Sequence, residues 1–255
     1  MLKFTVDVAI RTGHILLNHF QRGLDVRYKS SEIDLVTEAD LASERFIVET
    51  IRHHYPKHGI LSEEEVEDKE DREFFWIIDP LDGTVNYAHG FPIFCVSLAL
   101  QQRGDPILGV THDPMRDETF TAVKNLGAFL NGDALKVSGA DRLVRSLVAT
   151  GFPYKRATIE DNNLPEFNRV LPKVQGVRRG GSAALDLAYV AAGRLDGYWE
   201  AHLSPWDWAA GVLMIQEAGG RVTDRRNQPW TFGSKKMVAT NGLIHEELLH
   251  ILNEW

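Results

Sequence analysis

Apolar positions recur at helical spacing over the first twenty residues. Leu2, Val6, Ala9, Gly13, Leu16 and Phe20 fall on one stripe, and Gly23 follows as a stop. A second helix is predicted from Thr37 to Tyr55. Thr37 and Asp40 stand three residues apart as a capping box does, and Pro56 closes the segment. Residues 59–62 read as a short strand that runs into an acidic cluster at Glu63, Glu64 and Glu65. Residues 74–78 form an apolar strand, which Pro80, lacking an N–H and holding a fixed φ, is expected to end at Asp79. More strands are predicted over 93–100, 107–112 and 119–123, with a shorter pair at 128–130 and 135–137. Arg103-Gly104-Asp105 and Asn131-Gly132-Asp133 supply the turns of this antiparallel meander.

Residues 138–145 read as a crossover. They divide the chain into an N-terminal α+β half (1–140) and a C-terminal α/β half (141–255), expected to fold as one unit. The second half carries a strand at 147–150, a polar irregular loop at 151–163 and a helix or helix end at 167–174. A small-residue helix follows over 183–192, with Ser182 as its N-cap and Gly193 just past its end. A strand over 196–200 ends in Glu200. Ser204-Pro205 then opens a helix, proline being favoured at the first helical position.

At 255 residues, 44% hydrophobic and 25% charged, the chain can bury a sizeable core as one large domain or two small ones. No apolar run reaches the length of a membrane span. The first residues do not read as a signal peptide. A formal charge of −8 argues against a general nucleic-acid binder. The single cysteine, Cys95, lies in an apolar strand, excludes an internal disulfide and fits a reducing cytoplasm. His53, His54 and His58 cluster without Cys or acids at zinc spacing.

The chemistry concentrates after the central strand. Asp79 and Asp82 stand three residues apart with the Leu81 carbonyl between them, a hard-oxygen set that suits Mg²⁺ better than zinc. An isolated Asp-Pro-x-Asp-Gly is also a common surface turn; the apolar strands on both sides favour a site. Gly83 lets backbone approach a ligand, and N–H groups from Gly83 onward can face an anion. Glu63 ends its strand as Asp79 ends its own. On spacing alone Asp40 reads first as an acid in the first turn of a helix, where the dipole favours it, and the same reading suffices for Asp207. The Gly180-Gly181 pair is compatible with close helix–sheet packing.

Trp76-Ile77-Ile78-Asp79-Pro80-Leu81-Asp82-Gly83-Thr84-Val85-Asn86-Tyr87 resembles the signature of the inositol monophosphatase family of Mg²⁺-dependent, lithium-sensitive phosphatases. Three other segments match in order. Lys29-Ser30-Ser31 with Asp34-Leu35-Val36-Thr37 and Asp40 resembles the family's N-terminal motif. Glu63-Glu64 matches its Gly-Glu-Glu, with Ser62 in place of the glycine. Trp206-Asp207-Trp208-Ala209-Ala210-Gly211, followed by Glu217-Ala218-Gly219-Gly220, resembles its C-terminal signature.

The resemblance implies a layered α-β-α-β-α sandwich and hydrolysis of a phosphate monoester. Glu63, Asp79, the Leu81 carbonyl, Asp82 and Asp207 would hold two or three Mg²⁺, two of them roughly 4 Å apart. Thr84, oriented by Asp40, would position the attacking water, with Glu63 a second candidate and Lys29 nearby. Gly83 and Thr84 would hold the phosphate. Gly181, Ser182, Ala183 and Glu200 would line the substrate pocket, where Asp82 and Asp207 also reach. Inositol monophosphate is the favoured substrate; histidinol phosphate and other sugar phosphates are the enzymatic alternatives. A regulatory or scaffolding protein that keeps the fold is the alternative of another class. A homodimer is expected, both from the family and because the apolar strand at 93–100 calls for cover.

Overall fold

A computed structural model describes residues 1–20, 26–28, 35–64, 68 and 72–254. The first half opens with α1 (Leu2–Phe20), the short antiparallel pair β1 (Val26–Tyr28) and β2 (Leu35–Thr37), and α2 (Glu38–His54). The strands β3 (Gly59–Ser62), β4 (Phe74–Asp82), β5 (Cys95–Gln102), β6 (Asp105–Asp113), β7 (Glu118–Val123), β8 (Gly127–Leu130) and β9 (Asp133–Ala134) follow. They form one seven-stranded sheet in chain order, with β3 parallel to β4 and every later pairing antiparallel. A single turn, α3 (Thr84–Ala88), interrupts the meander between β4 and β5.

The second half contains β10 (Leu147–Thr150), α4 (Leu164–Val170), β11 (Gly176–Arg178), α5 (Ala183–Ala191), β12 (Gly197–Ala201), α6 (Pro205–Glu217), β13 (Arg221–Asp224), β14 (Lys236–Thr240) and α7 (His245–Asn253). Its five-stranded sheet has the order β11-β10-β12-β14-β13, parallel across the first three strands and antiparallel beyond.

Side-chain alternation along the strands builds the layers. Trp76 and Ile78 of β4 face α1 and α2, packing with Val8, Leu16, Ile47 and Ile51. Ile77 points the other way, into a central layer made by α5 and α6. From the opposite side Tyr198, Met237 and Ala239 reach the same layer, while Trp199 and Val238 face α7. Five layers result, α-β-α-β-α. Both faces of the central strands are buried, which explains their near-continuous apolar runs.

Several expectations need correction. Strand β4 does not stop at Asp79 but continues to Asp82. Asp79 pairs with Ser97 and Asp82 with Cys95, so three steps on β4 span two on β5: a one-residue bulge that accommodates the missing N–H of Pro80. The last hairpin strand is Asp133–Ala134 rather than 135–137. The segment around 93–100 does not call for a second subunit. Its strand β5 lies within the sheet, covered by α1 on one face and α6 on the other.

Candidate metal centre and active site

The bulge in β4 decides where the acids point. Strict alternation would send Asp79 and Asp82 to opposite faces, since they are an odd number of residues apart. The extra residue restores Asp82 to the side of Asp79, facing the helix layer. There Asp82 accepts from the Ser182 hydroxyl at 2.6 Å and from the Ala184 N–H at 2.7 Å, both at the start of α5. Asp79 accepts from the Leu81 N–H at 3.0 Å.

Asp207 arrives from α6. Ser204 and Asp207 form a full capping box with Pro205 at the first helical position, and the Ser204 N–H donates to Asp207 Oδ2 at 2.6 Å. One carboxylate oxygen from each of Asp79, Asp82 and Asp207 lies within 4.8 Å of the others. Glu63 follows β3, its N–H donating to the Ile78 carbonyl at 3.1 Å, and its charge acts on all three acids.

Burial first, then mutual repulsion, pushes Asp79 and Asp207 well above the usual carboxylate range; burial holds Asp82 up at about 6 against the bonds from Ser182 and Ala184. Three converging carboxylates, Asp79 buried and Asp207 half-buried, repel one another, and an oxygen-only donor set of this kind fits Mg²⁺.

Asp40 serves two partners. Its Oδ2 accepts from the Thr37 N–H at 2.8 Å and the Thr37 hydroxyl at 2.5 Å, closing the cap of α2. Its Oδ1 faces the Thr84 hydroxyl at 3.3 Å, which also lies 3.1 Å from the Leu81 carbonyl. Capping and orientation of Thr84 are therefore done by different oxygens of one buried acid. Gly83 precedes α3 at φ +98°, and a side chain there would press to 2.9 Å on the Ile93 carbonyl. Asn86 donates to the Ile93 and Gly180 carbonyls, each at 2.8 Å, and so ties the central motif to the Gly180-Gly181 turn.

A cavity of about 670 Å³ opens over these groups. Glu63, Asp79, Leu81, Asp82, Gly83, Thr84, Gly181, Ser182, Ala183, Glu200 and Asp207 all line it. Asp40 stands behind Thr84 instead, and Lys29 lies outside the described residues. Glu200 accepts a short hydrogen bond from the Tyr198 hydroxyl, and burial raises its carboxyl to about 7. The sequence reading missed Arg179, Asp186 and Tyr198, which also line the cavity. The irregular loop at 151–163, expected to be exposed, also contributes: Gly151 to Lys155 and Ile159 form part of the wall. A usable signal existed for one of them: Asp186 is the only acid in the otherwise apolar helix α5.

The repulsion predicts a thermal signature. Saturating Mg²⁺ should raise the melting temperature, by about 2.7 kcal/mol of added stability at a hundredfold excess over Kd. Asp207→Asn should melt no lower than the native protein without metal, because one of three crowded charges is gone, and should lose most of the Mg²⁺ shift. Differential scanning fluorimetry with and without Mg²⁺ checks both; an equal shift in the variant would remove Asp207 from the metal centre.

The sequence model of the inositol monophosphatase family matches residues 1–254. An inositol-1-monophosphatase of Synechocystis sp. is 43% identical, over 98% of this chain and 88% of the relative. A protein of Pseudomonas aeruginosa named Nus factor SuhB is 45% identical, over 98% of this chain and 94% of its own. The solved structure of inositol monophosphatase from Anabaena (Nostoc) sp. superposes with a TM-score of 0.90 at 45% identity, covering 98% of this chain and 94% of that one. Alike in sequence and in fold from end to end, the chain belongs to the inositol monophosphatase family.

Proposed function

We propose that the protein is a Mg²⁺-dependent phosphate monoester hydrolase whose favoured substrate is inositol monophosphate. One observation carries this reading: three carboxylates fit for Mg²⁺ share a cavity with a separate acid, Glu200, supplied by the second sheet. Asp79, Asp82, Asp207, Glu63 and the Leu81 carbonyl would hold two or three ions. The chemistry supplied by bound Mg²⁺ is neutralisation of the phosphate and of the charge that develops on the attacking and leaving oxygens.

The chain's own groups do the positioning. The Thr84 hydroxyl directs its proton to Asp40 or the Leu81 carbonyl, leaving its oxygen to accept from a water aimed at phosphorus. The N–H groups of Gly83 and Thr84 would hold the phosphate oxygens. Gly181, Ser182 and Ala183 shape the wall, and Glu200 accepts from hydroxyls of the alcohol. Cys95 is buried and burial raises its thiol pKa, so direct attack by water suits the site better than a thiolate nucleophile.

Phosphate release from inositol 1-phosphate should vanish on chelation, return with Mg²⁺, and be inhibited by Ca²⁺ and Li⁺. Glu200→Gln should raise KM for inositol 1-phosphate by about one to two decades, since charge-assisted bonds to two hydroxyls contribute about 1.5–3 kcal/mol each. Full turnover after exhaustive chelation would reject the reading. Histidinol phosphate proving the better substrate would replace only the alcohol.

A second, partner-dependent role is favoured by one observation, the 45% identity to a protein named as a Nus factor. Such a role, if independent of catalysis, should persist in Asp207→Asn when binding to candidate partners is measured beside phosphate release; loss of both together would tie it to the active site.

We also place the protein in the cytoplasm as a symmetric dimer. No helix among the described residues is long and apolar enough to cross a membrane, and the lone thiol suits a reducing compartment. The dimer is assigned to the surface of the two loops that carry Phe91 (49% exposed) and Met115 (38% exposed) and are joined by the Arg116 bond to the Pro92 carbonyl at 3.4 Å. Light scattering at micromolar concentration should give twice the chain mass, falling to one in Phe91→Asp; a monomer in the native protein rejects this assembly.

A further inference from the structure

One buried acid on the cavity wall has no part in the chemistry described so far. Asp186 lies in the first turn of α5 and is 5% exposed. Its carboxylate rests on the bare Cα of Gly180: a side-chain carbon there would stand 2.6 Å from Asp186 Oδ1. The arrangement repeats that of Glu200, whose carboxylate rests on the bare Cα of Gly151. The two acids sense each other's charge, both feel Arg179, and the Tyr198 hydroxyl lies in the field of both while bonding Glu200. Burying a second carboxylate beside Glu200 and Asp82 is costly, and an apolar residue would suit helix α5 better.

We propose that Asp186 is a second substrate-binding acid, accepting hydrogen bonds from hydroxyls of the alcohol alongside Glu200. The two carboxylates, each seated on a glycine and both lining one cavity, then read a polyol at two positions instead of one. The favoured substrates are phosphates of alcohols with several neighbouring hydroxyls. Arg179 offsets the paired charge without occupying either acid in a close ion pair. This assignment rests on the reading of the cavity as a polyol-phosphate site.

The quantity that tests it is the quotient of kcat/KM for inositol 1-phosphate over that for nitrophenyl phosphate, which presents no hydroxyls. Asp186→Asn, close in shape, should lower the quotient about tenfold, the loss expected for one charge-assisted bond, and carry the change in KM. Gly180→Ala keeps the acid but displaces it, and should lower the quotient similarly; it decides the matter if the asparagine variant does not fold. Combining Asp186→Asn with Glu200→Gln should lower the quotient further than either alone, because the acids bind different hydroxyls.

The assignment is overturned if Glu200→Gln lowers the quotient while Asp186→Asn and Gly180→Ala do not. It is equally overturned if the effect of Asp186→Asn disappears in the Glu200→Gln background, which would make Asp186 a support for Glu200. Should Glu200→Gln leave the quotient where it was, the polyol reading itself falls and takes Asp186 with it.

Discussion

The architecture turns on an electrostatic difficulty: several carboxylates, some buried and some half-buried, converge on one cavity. Asp79 and Asp82 come from one strand, Asp207 from a helix of the other half, and Glu63 from the neighbouring strand. The fold meets this with helix N-termini. Asp40 caps α2, Asp207 caps α6, and Asp82 accepts from the hydroxyl and N–H that open α5. Two positive helix ends, those of α5 and α6, meet Asp82 and Asp207 and offset part of the repulsion before any cation binds, while the start of α2 is tied through Asp40 to Thr84. What remains is attraction for a hard cation, the basis of the metal chemistry.

Contacts in and around the same site join the two sheets. Helices α5 and α6 lie between the sheets and pack against residues from both. The bond between Asp82 and Ser182, and that from Asn86 to the Gly180 carbonyl, cross from the first half to the second within the site. The acids around the cavity come from both halves: Asp79 and Asp82 from the seven-stranded sheet, Asp207 from α6, Glu200 from β12 and Asp186 from α5. Relatives at about the same identity carry different names, an inositol-1-monophosphatase in one organism and a Nus factor in another.

Local signals in the sequence were sufficient for most of this. The stripe from Leu2 to Phe20, the Thr37–Asp40 and Ser204-Pro205 helix starts, and the turns at Gly104 and Gly132 are short-range features, set by hydrogen bonding and φ preferences within a few residues. Glu63 just past β3 and the Asp82-Gly83-Thr84 turn are local features of the same kind, whereas Asp79 lies within β4 and not at its end; the four ordered motifs named the family that residues 1–254 match. Only the tertiary structure decided the rest. The bulge at Pro80 depends on pairing with β5, and it alone brings Asp82 to the face of Asp79. The cover on β5 comes from helices far away in the chain, so apolarity by itself could not say whether a subunit or a helix supplied it. Tyr198 reads as an ordinary member of a strand, and Asp186 stands out only as the single acid of α5, until folding brings both to the cavity that Glu200 also lines. Periodicity within a segment reports which face is buried, but what lies against that face is a property of long-range contacts that no local pattern encodes.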